Sequence, residues 1–154
     1  MSVNNAETEA EIFFRNARGF ARPDGCVPAL ASQAAAYEVQ RKVFQPGKNP
    51  TVWKLGGVNK ATRSAFNFNA TYAGPISGDA IFPLCAKMQP ADFGRQCQAE
   101  LELLVRLDEL HVSDVSDRAL VDAKFNVAPA LECPATVLNF PQDGVLALIA
   151  DCCA

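Results

Sequence analysis

The sequence lacks the features that mark several classes of protein. It contains no apolar run approaching the roughly 18 residues of a membrane-spanning helix. Its N-terminus, MSVNNAETEAEIFF, has neither the positive segment nor the long apolar segment of a signal peptide. The 14 basic residues form no stripe and are outnumbered by 17 acidic ones, so a nucleic-acid backbone is a poor partner. We therefore expect a cytoplasmic protein that binds no membrane and no nucleic acid.

Common short site motifs are also missing. No Cys-x-x-Cys pair is present, which argues against a zinc site of that kind. Neither GK[ST] nor G-x-G-x-x-G surrounds Gly56 and Gly57, so these glycines do not form a phosphate-binding loop. Six cysteines without an export signal favour free thiols, with a disulfide-held secreted fold as the weaker alternative.

What is present is the composition of an ordinary folded domain. Hydrophobic residues make up 49% and charged residues 20% of the 154-residue chain, which is typical globular usage. A chain of this length is large enough for a substantial hydrophobic core. The net charge of −3, with interspersed signs, favours a small molecule or another protein as partner.

The hydrophobic pattern predicts helices first and strands afterwards. Helices are expected over 6–18 and about 30–44, then a strand at TVWKLG and a short helix, KATRSAF, capped by Asn59. We accordingly divide the chain into an N-terminal helical segment, 1–48, and a β-rich domain, 49–154.

The β-rich part is predicted to contain one very regular strand, QAELELLVRL at 98–107. The other expected elements are a loop at AGPISGD, a helix at SDRALVDAKF, a short strand at APALECPATVL broken by Pro134, and a helix or strand at DGVLALIADCCA.

Acidic residues alternate along the regular strand. Gln98, Glu100 and Glu102 are two apart, so in a strand they project from one face. A row of carboxylates is either a solvated sheet face or a site for Mg²⁺ or Mn²⁺, which prefer carboxylate oxygens. A metal site needs a third acid, and Glu132 is the best candidate because it lies alone in an apolar strand. An ion pair at the edge of the core explains Glu132 equally well.

Lys54 also interrupts an apolar run, between Trp53 and Leu55. Burying an ammonium group costs several kcal/mol unless a partner or ligand compensates it. The lysine therefore either reaches water or serves a site.

The order of several motifs resembles the fumarylacetoacetate hydrolase superfamily, in its branch of 2-keto-4-pentenoate hydratases and 4-oxalocrotonate decarboxylases. The block VWKLGGVNKATRSAF is similar to the family's G-x-K-[IML]-G-x-[TN]-[SN]-[KR] pattern, and QAEL stands where the family has E-x-E or E-x-D. The remaining matches are AAYEVQRKVF to the second helix, YAGPISGDAIF to the glycine loop and PALECPA to P-x-[LI]-E. The resemblance covers about residues 30–154, and the combined order is its specific part.

The resemblance implies a fold of N-terminal helices followed by a mixed β-sheet of the β-roll type, incomplete in this chain. It also implies a divalent cation, Mg²⁺ or Mn²⁺, held by Gln98, Glu100 and Glu132, and chelated by a small 2-oxo acid. Lys54 would bind or protonate the substrate, and Asp79 is a weaker candidate for a polar site residue. The expected activity is hydration of an unsaturated 2-oxo acid. Carbon–carbon hydrolysis of an acylpyruvate and decarboxylation of an oxalocrotonate are alternatives.

Two departures from the family pattern leave alternatives open. Gln98 offers a neutral amide oxygen, a poorer Mg²⁺ ligand than a carboxylate, and a register shifted by two would pair Glu100 with Glu102 instead. The CQAEL string, similar to C-E-A-D-L in some relatives, favours Gln98 slightly. Family members are also substantially longer, so we expect a homo-oligomer or a second polypeptide to complete the sheet. A non-catalytic relative acting as a subunit is the hypothesis from another class.

Overall fold

A computed structural model gives the structure of the chain and describes residues 3–17, 23–44, 52–83, 99–107, 125–134, 137–139 and 142–152. Two compact units are present, one formed by Met1–Gln96 with Ala135–Ala154 and the other by Cys97–Pro134. The predicted boundary at residue 48 lies outside the described residues and stays a prediction.

The described elements are α+β, as predicted. The helices are α1 (Val3–Ala17), α2 (Gln33–Val43), α3 (Lys60–Ala65) and α4 (Gly144–Ala150). The strands are β1 (Val52–Gly56), β2 (Tyr72–Ile76), β3 (Glu100–Leu107) and β4 (Phe125–Glu132). Antiparallel pairing joins β1 to β2 in one two-stranded sheet and β3 to β4 in the other. Within the described ranges, no helix has the length and hydropathy needed to cross a membrane.

The core of the larger unit lies among α1, α2 and α4. Helix α2 packs against both of the other helices, and the largest fully buried side chains are those of Phe14, Val39, Val43 and Ile149. Helix α2 begins where the Ser32 hydroxyl accepts a hydrogen bond from the backbone N–H of Ala35, at 3.2 Å. This cap satisfies one of the N–H groups that the first helical turn leaves without an intrahelical partner.

Helix α2 also holds the outer edge of β2. The Gln40 side-chain amide donates to the backbone carbonyls of Ala73, at 2.9 Å, and of Ile149, at 2.7 Å. The backbone N–H of Ala73 donates to the Tyr37 hydroxyl at 3.0 Å. Both backbone polar groups of Ala73 are thus bonded to α2, which protects this edge of the strand.

Gln40→Leu is expected to lower the free energy of unfolding by about 2 kcal/mol, because it removes a buried donor that serves two backbone carbonyls. Gln40 is 4% exposed, so water cannot easily replace the amide. Urea unfolding followed by circular dichroism measures the loss, with Gln33→Leu, the same change at the start of α2, as the matched control. Equal losses in the two variants would contradict this role for Gln40.

The glycine pair at the end of β1 has a packing role. Gly57 has a φ of 65°, and a Cβ there would lie 2.8 Å from the carbonyl oxygen of Ala70. A Cβ at Gly56 would overlap the Tyr72 ring. Glycine therefore suits both positions, since the chain turns there and the ring of Tyr72 lies against its backbone. The turn leads into α3, where the Asn59 side chain accepts from the N–H of Thr62 at 2.8 Å, so the predicted cap is confirmed.

The loop predicted at AGPISGD is wrong for its first four residues, which belong to β2. Glycine and proline normally disfavour a strand interior. Here the N–H of Ala73 faces α2, and in a strand the residue two positions further on faces the same way. The N–H that Pro75 lacks would therefore point away from β1. Its absence removes no hydrogen bond between β1 and β2.

The remaining predicted elements have mixed outcomes. The strand predicted at APALECPATVL begins earlier than expected, at Phe125, and ends at Glu132 before Pro134. The helix predicted at SDRALVDAKF lies outside the described residues, apart from Phe125 in β4. The segment DGVLALIADCCA, expected to be a helix or a strand, contains helix α4. The described cysteines, Cys26, Cys133 and Cys152, are free thiols, as predicted.

Candidate metal centre

The β3–β4 ribbon carries acidic residues on one of its faces. In its register, Glu100 lies directly opposite Glu132, and Glu102 lies opposite Ala130. Side chains of successive strand residues point to opposite faces, and directly paired residues share a face. Glu100, Glu102 and Glu132 therefore project together, as the alternation in the sequence predicted for the two residues of β3.

The three side chains meet closely enough to share one ion. Each offers a carboxylate oxygen, and all three oxygens lie within 4.8 Å of one another. Two oxygens on opposite sides of one Mg²⁺ stand about 4 Å apart, and those around one Ca²⁺ about 5 Å apart. Small changes of side-chain rotamer are thus enough to bring the three oxygens to a common divalent cation.

Two of the three carboxylates lie directly opposite each other across the ribbon. Like charges placed directly opposite each other on two strands destabilise the pair, and Glu100 faces Glu132 in this way. Glu100 and Glu102 are exposed, whereas Glu132 is half-buried. A hard divalent cation removes the repulsion and accepts carboxylate and water oxygens together, so a partly exposed site suits it.

The structure bears on which residue would join Glu100 and Glu132 as the third ligand of a metal ion. Gln98, the slightly favoured ligand, lies outside the described residues, and its assignment stays a prediction. Glu102, its alternative, lies within the cluster with Glu100 and Glu132. Ala130, opposite Glu102, is a small residue that the sequence analysis did not single out. Its short side chain leaves room for Glu102 to lean towards Glu132.

Lys54 lies on β1 in the larger unit, paired with Gly74. It is half-buried, while its neighbours Trp53 and Leu55 are 56% and 60% exposed. The lysine therefore occupies the more protected face of the strand and the two apolar residues the more exposed one.

The other predicted polar residue, Asp79, lies in the short 3₁₀ turn Gly78–Ala80, and its side chain lies outside the described part of the structure. A surface cavity of about 390 Å³ elsewhere in the larger unit is lined by none of the predicted site residues. Its lining consists of Lys60, Arg63, Ser64, Asn67, Phe68 and Asn69.

A carboxylate outside the cluster provides a contrast. On α2, the Arg41 guanidinium donates to the Glu38 carboxylate at 2.7 Å, in an exposed pair three residues apart. This hydrogen bond from Arg41 lowers the pKa of the Glu38 carboxyl. Glu38 is thus an acid stabilised by an arginine of its own helix, and it serves as a control for the cluster.

Comparisons with protein-family models, with curated proteins and with solved structures gave no match to this chain. The resemblance to the fumarylacetoacetate hydrolase superfamily consequently depends on the order of the sequence motifs alone. The geometry of the three carboxylates is an observation independent of that resemblance.

Proposed function

We propose that the protein is a divalent-metal-dependent lyase that adds water to a small unsaturated 2-oxo acid, in the manner of 2-keto-4-pentenoate hydratases. The observation that supports it best is the meeting of Glu100, Glu102 and Glu132 on one face of the β3–β4 ribbon. The motif order from Lys54 to Glu132 adds support, because it places a lysine before the acids as in that family. In this proposal the described strands form the first part of a β-roll.

Each residue has a distinct role in the proposal. Glu100, Glu102 and Glu132 hold Mg²⁺ or Mn²⁺ through their carboxylate oxygens. A cation held there would supply Lewis acidity towards a bound 2-oxo acid. The family resemblance assigns Lys54 the part of binding the anionic substrate or donating the proton that water addition requires at carbon. Carbon–carbon hydrolysis and decarboxylation of related 2-oxo acids would use the same residues.

A non-catalytic role is the second candidate, and the amide at Gln98 favours it. A carboxylate at this position would add a negative charge to the ligand set, whereas an amide oxygen adds none. With a neutral ligand at this position, the site would bind a divalent cation more weakly. In this second candidate the protein has lost tight metal binding and keeps the fold as an interaction surface of a larger assembly. Absence of divalent-cation binding at millimolar Mg²⁺ is the result that this candidate predicts.

The test of the proposed function is hydration of 2-hydroxypenta-2,4-dienoate by the full chain, with Mg²⁺ and with a chelator. We expect turnover only with the metal, and we expect Lys54→Met to lower kcat/KM by about 10²–10⁴-fold, the usual contribution of a proton-transfer or charge-stabilising group. Lys42→Met on α2 is the matched control, because its ion pairs are long, at 3.9 and 4.0 Å. Turnover that survives chelation, or that Lys54→Met leaves unchanged, would contradict the proposal.

A further inference from the structure

The second face of the β3–β4 ribbon is apolar and exposed. Six of its side chains, from here on the apolar ribbon face, are each 52 to 80% exposed. They are Leu101, Leu103, Val105, Phe125, Val127 and Leu131. Their cross-strand pairs include Leu101 with Leu131 and Val105 with Val127, so the apolar residues lie side by side along the ribbon.

The exposed apolar area of this face is large enough for a binding surface. With about 150–200 Å² of surface on each such residue, the exposed fractions of the six side chains amount to roughly 600 Å². This value is at the upper limit for the largest apolar patch of a typical monomer, about 300–600 Å². An isolated pair of strands is also only marginally stable in water, and it gains stability when its apolar face is packed against something else.

We propose that two copies of this chain pack their apolar ribbon faces together around a two-fold axis. Two such faces would bury roughly 1,200 Å², the lower end of the range for specific interfaces. Stacked sheets lie about 10 Å apart with strands inclined by about 30°. In a two-fold arrangement the same patch of each copy meets its equivalent, so the two faces have the same length and the same apolar composition.

The lack of charge on the apolar ribbon face, and its length, favour the same face of a second copy of the chain as its binding partner. The apolar ribbon face carries no charged residue, so its burial leaves no ion unpaired. Strand β3 is eight residues long, whereas β1, with exposed Trp53 and Leu55, has only five and offers a shorter face. In the dimer, Glu100, Glu102 and Glu132 remain on the opposite, accessible face of each ribbon, because the two residue sets alternate.

Sedimentation of the full chain over a range of concentrations tests this inference. We expect wild type to be a dimer at about 10–100 µM, and Leu103→Glu, near the centre of the face, to raise the dimer Kd at least about 30-fold. Ile12→Glu on α1 is the matched control, since Ile12 is 55% exposed and lies outside the ribbon. Val127→Lys provides a second variant on the partner strand if Leu103→Glu does not fold.

The outcomes separate the dimer from its alternatives. A wild type that stays monomeric throughout this range would overturn the proposal and would point to cover of the face by its own chain. A dimer that Ile12→Glu weakens as much as Leu103→Glu does would overturn it too. Because the carboxylates occupy the opposite face, monomeric Leu103→Glu should bind Mn²⁺ as wild type does. Failure of the dimer and failure of the metal site are therefore distinguishable.

Discussion

Glu132→Gln is expected to weaken Mn²⁺ binding by at least about 100-fold. Loss of a group that only supports a metal ligand typically costs 10–100-fold in affinity, and Glu132 is proposed as a ligand itself. It is also the only cluster residue contributed by β4, so no neighbouring carboxylate of that strand replaces it. The substitution keeps the shape of the side chain, so the change in affinity reports the lost charge.

Calorimetric titration with Mn²⁺ measures this effect. Glu38→Gln is the matched control, because Glu38 is stabilised by Arg41 and lies on α2, outside the cluster. The same titration on Glu102→Gln and Gln98→Ala identifies the third ligand. The proposed ligand set predicts that Glu102→Gln weakens Mn²⁺ binding, whereas a larger loss in Gln98→Ala would assign the third ligand position to Gln98. Comparable affinities for Glu132→Gln, Glu38→Gln and wild type would show that the cluster holds no ion.

Phe14→Ala is expected to lower the free energy of unfolding by about 3–5 kcal/mol, the usual cost of removing a buried aromatic ring from a core. Phe14 is 0% exposed. Its ring also meets that of Phe13 edge to face, with centroids 5.3 Å apart. A domain is stable by only about 5–15 kcal/mol, so the variant loses a large share of its stability.

Urea unfolding and thermal unfolding measure this loss, and we expect Tm to fall by about 10 °C for a chain of this size. Ile12→Ala is the matched control on the same helix, because Ile12 is 55% exposed and its truncation should cost less than about 1 kcal/mol. If Phe14→Ala is no less stable than Ile12→Ala, α1 does not pack into the core as described.

The elements that could be predicted from sequence are those specified by neighbouring residues. Helices α1 and α2 follow from apolar periodicity, and the start of α3 follows from one cap, Asn59. Strand β3 follows from its alternation of acidic and apolar residues. All of these signals act within a few residues along the chain.

Strand β2 could not be predicted in the same way. Its glycine and proline are typical of a loop, and the contacts that hold it as a strand come from distant residues. Tyr37 and Gln40 bond to Ala73 across 36 and 33 positions of the chain. Tertiary hydrogen bonds of this kind override local propensity and leave no local mark in the sequence.

The candidate site could also be predicted only as far as neighbouring residues specify it. Alternation alone places Glu100 and Glu102 on one face, and the apolar surroundings of Glu132 indicate an unusual carboxylate. Which β3 residue lies opposite Glu132 depends on the strand register, which a long connection between strands does not specify. The structure supplies this register, with Glu100 opposite Glu132, and thereby brings Glu102 within reach.

The central claim is that Glu100, Glu102 and Glu132 together hold a divalent cation. Its most direct test is a Mn²⁺ titration of the unmodified full chain, followed by the paramagnetic resonance of free Mn²⁺. We predict one saturable site per chain with a Kd below about 1 mM, displaced by Mg²⁺ and absent from a Glu100→Gln, Glu132→Gln double variant. No saturable binding up to several millimolar Mn²⁺, on the order of the weakest physiological sites, or equal binding by the double variant, would contradict the claim.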